Sequence, residues 1–129
     1  ALRTIVVALP KEEPTMPTAP RPSRGVPPMP ERSIAALRAA IAAHAPQLLD
    51  DFEANWRAKI ADTYDIGAAP AFLARWWGEY ALARDPELDR HVRDLEARAA
   101  QCTDPDKAKD LLEEASRIHH SVRRLGPGE

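Results

Sequence analysis

Apolar residues recur at three- and four-residue intervals along most of this chain, and the recurrence restarts at prolines. Ile34, Leu37 and Ile41 mark a first stripe on an otherwise Ala-rich rod. Leu48, Leu49, Phe52, Trp56, Ile60 and Tyr64 mark a second, with the last four in one i, i+4 row. The third stripe runs through Phe72, Leu73, Trp76, Trp77, Tyr80 and Ala81. Leu88, Val92, Leu95 and Ala99 form the fourth, and Leu111, Ala115, Ile118 and Val122 the fifth. An apolar stripe of period near 3.6 opposite a charged face is the pattern of an amphipathic helix. The pattern predicts helices over about 32–44, 46–65, 70–84, 86–101 and 105–124.

The prolines support these starts. Pro46, Pro70, Pro86 and Pro105 each open a stripe. Proline suits the first helical turn because the N–H it lacks has no intrahelical partner there, and Asp85 and Asp104 just before two of them are favoured caps. Helices of this kind are stable when their stripes are buried together, so residues 31–129 are predicted to form an all-α, five-helix compact bundle. Asp104 and Pro105 leave a short hinge after Gln101, which favours an antiparallel hairpin of the last two helices.

Residues 1–30 follow a different pattern. Eight of the 13 prolines lie in this segment, and such density removes donors and fixes φ too often for a helix or an interior strand. The expectation is an extended Pro-rich arm with a short strand at 2–9, LRTIVVAL, apolar on both faces. Such a strand is stable only when paired, so Ile5, Val6 and Val7 are candidate contacts for a partner's sheet edge. ALRTIVVALPK also resembles the opening of ribbon-helix-helix DNA-binding proteins, which makes a DNA-binding regulator with this strand as a dimer ribbon the alternative reading. Pro14 and Pro17 stand where that family continues into a helix, and neither face of the strand is polar.

Trp76 and Trp77 are neighbours, and successive helical residues point about 100° apart. Trp76 therefore shares a row with Phe72 and Tyr80, and Trp77 one with Leu73 and Ala81. Two readings follow: both indoles in the core of a central helix, or one at a groove edge as a partner anchor. Arg75, Trp76, Trp77 and Tyr80 are the candidate partner-binding residues of the bundle under the second.

Charge and chemistry narrow the classes. The arm carries four Lys/Arg against two Glu, leaving 14 against 18 for the body, so no basic field favours nucleic acid or anionic lipid as partner. The longest apolar run, IVVAL at residues 5–9, is far below the roughly 18 residues a spanning helix needs. A single cysteine, Cys102, fits a reducing compartment, and the cytoplasm is the expected location. His91, Cys102, His119 and His120 lack the paired spacing of a zinc site. Most carboxylates have i, i+4 cationic partners: Glu53 with Arg57, Asp89 with Arg93, Arg90 with Asp94, Asp94 with Arg98, and Glu113 with Arg117. No Gly-rich phosphate loop or nucleophile motif is present in the sequence. Neither a metal, nor a cofactor, nor an enzymatic activity is expected.

The stretch from Ser33 to about residue 100, with Arg75, Trp76 and Trp77 and with Phe52 and Pro86 in agreement, resembles an uncharacterised family of short all-helical proteins from high-GC Gram-positive bacteria that carry an Arg-Trp-Trp motif. The resemblance implies a small accessory protein, antitoxin-like or regulatory. Together these observations predict a non-enzymatic protein–protein interaction module whose arm orders on another protein, with a homodimer through helix one as a further expectation.

Overall fold

A computed structural model describes residues 25–129; the arm's first 24 residues, with the candidate strand and Ile5, Val6 and Val7, lie outside them. Five α-helices pack together among the described residues: α1 (Ile34–His44), α2 (Leu49–Trp56), α3 (Ala69–Ala83), α4 (Pro86–Gln101) and α5 (Pro105–Arg123). The predicted all-α bundle is the observed architecture. No helix among these residues is long and apolar enough to cross a membrane.

The helix starts follow from local chemistry. Ser33 caps α1 by accepting from the Ala36 N–H at 3.1 Å. Asp85 caps α4 by accepting from the Leu88 N–H at 3.2 Å, and Asp104 caps α5 by accepting from the Asp106 N–H at 3.0 Å. Each such bond satisfies a donor that the helix leaves orphaned at its first turn. Pro70, Pro86 and Pro105 sit in the first turns of α3, α4 and α5.

Helix α3 is the centre of the bundle and packs against α1, α4 and α5. It buries Phe72, Trp76, Trp77, Gly78, Tyr80, Ala81 and Leu82, whereas α1 and α4 bury only their predicted stripes, Leu37 with Ile41 and Val92 with Leu95 and Ala99. Gly78 is where α5 comes closest: a Cβ there would lie 2.9 Å from Arg123 Cγ, so the missing side chain admits the arginine stem. Helices α4 and α5 pair as the hairpin that the short hinge implies. Leu37 and Ile41 of the α1 stripe are enclosed within this bundle, and Ile34 is partly buried against it.

The second predicted helix departs from expectation. Residues 46–65 do not form one rod: a 3₁₀ turn at Pro46–Leu48 leads into α2, which gives way to a π-helical turn at Arg57–Ala61. The Asp62 N–H bonds to the Arg57 carbonyl at 2.8 Å and the Asp65 N–H to the Ile60 carbonyl at 3.2 Å. Bonds spanning five residues insert one extra residue per turn and break the i, i+4 row. Phe52 and Ile60 remain buried, but Tyr64, placed in that row by the sequence, turns outward.

Surface charges also differ in part. Asp89–Arg93 and Asp94–Arg98 form the expected pairs at 3.2 and 3.4 Å. Glu53 instead accepts from Arg38 of α1, at 2.8 Å from Nε and 2.5 Å from Nη2. That pair ties α1 to α2 and holds the Glu53 carboxyl below its ordinary pKa.

Candidate interaction surface

The tryptophan pair is structural. Trp76 is 2% exposed and Trp77 fully enclosed, and Tyr80 is enclosed with them. Phe52 meets the Trp76 ring edge-on at a centroid distance of 5.5 Å, and the Trp76 Nε1–H donates to Asn55 Oδ1 at 3.0 Å. The Trp77 Nε1–H donates to the Leu125 carbonyl at 3.0 Å, far along the chain. The two indoles thus serve different neighbours, α2 for one and the segment after α5 for the other. With their rings enclosed and both indole donors satisfied, Trp76 and Trp77 are core residues in this fold, as is the enclosed Tyr80, and none of the three leaves a ring free as an anchor. Arg75 alone of that group is exposed, its guanidinium carbon 4.8 Å from the Trp76 ring centroid.

The structure brings both ends of the described chain to the same corner of α3. Met29 is 2% exposed inside the core, although it belongs to the Pro-rich segment expected to stand clear of the bundle. Its carbonyl accepts from the Gly128 N–H at 2.8 Å, and the carbonyl of Pro27 accepts from Arg84 Nη1 at 2.8 Å. Arg32 places its guanidinium carbon 4.6 Å from the centroid of the Trp77 ring. Residues 26–30 carry no regular structure, as their prolines dictate, yet they are docked. Burial of the Met29 side chain and the bonds to the Pro27 and Met29 carbonyls together seat the segment. Residues 27 and 29 of the Pro-rich segment thus contact the bundle.

The corner is polar beneath. Arg84 and Asp85 are both buried, and the Tyr80 hydroxyl and Arg84 Nε have no hydrogen-bond partner among the described residues. Burial pushes the Tyr80 hydroxyl above its ordinary pKa, with the Arg84 charge opposing that shift. Burial likewise lowers the pKa of the Arg84 guanidinium, against the pull of Tyr80, Asp85 and Glu129.

At the turn between the π-helical segment and α3, Tyr64 is 89% and Ile66 79% exposed. Sequence reasoning missed both as surface residues. The signal lay in Asp62-Thr63-Tyr64-Asp65, four consecutive poor helix formers that argue for an earlier helix end.

The histidines lie on the α4–α5 hairpin. His91 faces Glu114 at 3.5 Å and His119 faces Glu96 at 3.4 Å, each pair bridging the two helices. A shallow groove of about 320 Å³ runs past Glu79, Asp89, Glu96 and His119. Among the described residues no three His, Cys, Asp or Glu side chains gather closely enough to hold a metal ion. Comparison with protein-family models, with curated proteins and with solved structures returned no match to this chain.

Proposed function

We propose that this chain is a cytoplasmic, non-enzymatic interaction module: a rigid helical bundle that carries a tethered N-terminal arm for binding another protein. The observation that supports this reading best is the anchoring of the arm's root, where buried Met29 and the Arg84–Pro27 bond hold the segment that follows residues 1–24 in the chain. A peptide held at one end loses less freedom when it orders on a partner than one joined by a loose linker. The arm's apolar strand, with Ile5, Val6 and Val7, is the contact element, and its prolines keep it from folding back as a helix. The family resemblance around Arg75, Trp76 and Trp77 supports the same accessory role, antitoxin-like or regulatory.

The test compares the full chain with a variant in which Ile5, Val6 and Val7 are all replaced by Asp. Recovery of a bound protein by the native chain and its loss with the variant is the expected result. Equal recovery by both rejects the arm as the contact element.

A further inference from the structure

We propose that residues 27–32 and 125–129 form a reversible clasp over one face of α3, which opens as a unit while the rest of the bundle stays folded and so couples the two ends of the described chain. The inference concerns the bundle's own opening and holds whether or not the arm binds a protein. Trp77, Tyr80 and the C-cap Arg84, spaced i, i+3 and i+7, share that face. Both segments meet it: the Leu125 carbonyl accepts from the Trp77 Nε1–H at 3.0 Å, and the Pro27 carbonyl from Arg84 Nη1 at 2.8 Å. They also meet each other, through the Gly128 N–H and the Met29 carbonyl at 2.8 Å. Met29, 2% exposed, and Leu125, 4% exposed, are the apolar side chains that complete the cover.

The tail brings its own shape to this contact. The Glu129 N–H bonds to the Gly126 carbonyl at 3.2 Å, with Pro127 second and Gly128 third at φ 86°, the marks of a type II turn. The turn's own bond uses the Glu129 N–H, which leaves the Gly128 N–H to reach Met29. A Cβ at Gly128 meets nothing within 4 Å, so the glycine is required by its φ alone.

The groups beneath the cover favour its opening. Tyr80 Oη and Arg84 Nε are buried with no hydrogen-bond partner among the described residues. Closure strips water from both and returns no bond, whereas opening rehydrates them and offsets the exposure of Met29 and Leu125. Neither segment is helical, while α3, α4 and α5 are held by helical hydrogen bonds along their length. The corner is therefore the part of the fold that opens at least cost, and it releases both segments because each holds the other.

Native-state hydrogen exchange and peroxide oxidation of the full chain test the clasp. The Trp77 indole N–H and the amide at position 128 are expected to share one protection factor, at least about 10-fold below that of the Leu95 amide in α4 and little affected by low urea. Gly128→Ala forces a left-handed alanine into the turn without a clash, so it is expected to lower both protection factors about 5-fold. Oxidation of Met29 to the sulfoxide, read by peptide mass spectrometry, is expected to accelerate by the same factor, although Met29 lies at the other end of the described chain. Tyr80→Phe removes a hydroxyl that opening rehydrates, so it is expected to hold all three rates at or below their native values, down to about one fifth. If Gly128→Ala alters position 128 alone, or none of the three, the proposal is overturned in favour of a tail that frays by itself. Protection of Trp77 and position 128 equal to that of Leu95, with the same urea dependence, assigns the opening to global unfolding and also overturns it. So does acceleration in Tyr80→Phe, the sign of a hydroxyl that is bonded while the clasp is closed.

Discussion

Arg84 donates from Nη1 to the carbonyl of Pro27 across 2.8 Å, so the helix that carries the tryptophan pair also holds the root of the N-terminal arm. Both partners sit where the last described residues close over the same corner, with Gly128 bonded to Met29 and Leu125 to Trp77. The bundle is thereby fastened at a point that joins residues from the two ends of the described chain.

Replacing Arg84 by Met keeps much of the volume but removes the cation beside Asp85 and the donor to Pro27. Stability is expected to fall by about 2–3 kcal/mol, because a buried charged partner and a hydrogen bond disappear together. Urea unfolding measures the loss. Amide exchange of Gly128, whose N–H donates to the Met29 carbonyl, is expected to accelerate more than that of α4, since the clasp opens before the bundle does.

Trp77→Phe leaves a ring in the core but deletes the Nε1–H that reaches Leu125. The expected cost is about 1–3 kcal/mol, combining a lost bond with a carbonyl deprived of its donor and a small cavity. Trp76→Phe removes the bond to Asn55, which is only part-buried and open to replacement by water, so the smaller loss is expected there. Thermal unfolding of the two variants, compared side by side, gives the order.

Tyr80 supplies a pH test. Its folded-state pKa lies above the ordinary value of 10.0, because burial disfavours the phenolate. The sign follows from linkage: the neutral hydroxyl is common to both states below pH 10, and the unfolded chain ionises first above it. Stability is thus full below about pH 10 and declines as pH climbs from there through the raised folded value. Tyr80→Phe is expected to flatten that alkaline limb. It also removes a buried hydroxyl without a partner among the described residues, so at pH 7 it is expected to be neutral or stabilising by up to about 1 kcal/mol. Urea midpoints between pH 7 and 11 test both statements.

Tyr64→Gly relieves a left-handed backbone in a residue that packs on nothing. Relief of the strain, less the added freedom of glycine in the unfolded chain, leaves an expected gain of about 1 kcal/mol. Tyr64→Phe, which keeps the strained backbone, is expected to leave Tm unchanged.

Much of the bundle was legible because it rests on local rules. The prolines at 70, 86 and 105 opened helices where a missing donor costs nothing, Asp85 and Asp104 made the cap bonds that their positions call for, and the stripes of α1, α4 and α5 are the faces that became buried. Tyr64 was misplaced because an i, i+4 row extrapolates through any stretch that looks helical, and the π-helical turn that ended it changes the period without a strong residue signature. Met29 was misplaced because proline density specifies extended backbone, a statement about φ and donors and not about what lies against the chain.

The sequence by itself determined four of the five helices, where most of them begin, and that Trp76 and Trp77 must diverge, since backbone geometry and capping act within a few residues. Only the tertiary structure decided that both indoles close inside the core, that Glu53 turns to Arg38 and not to Arg57, and that Arg84 reaches back to Pro27. Those outcomes depend on which surfaces meet across long stretches of chain, and burial makes such contacts strong without leaving any periodic trace in the sequence.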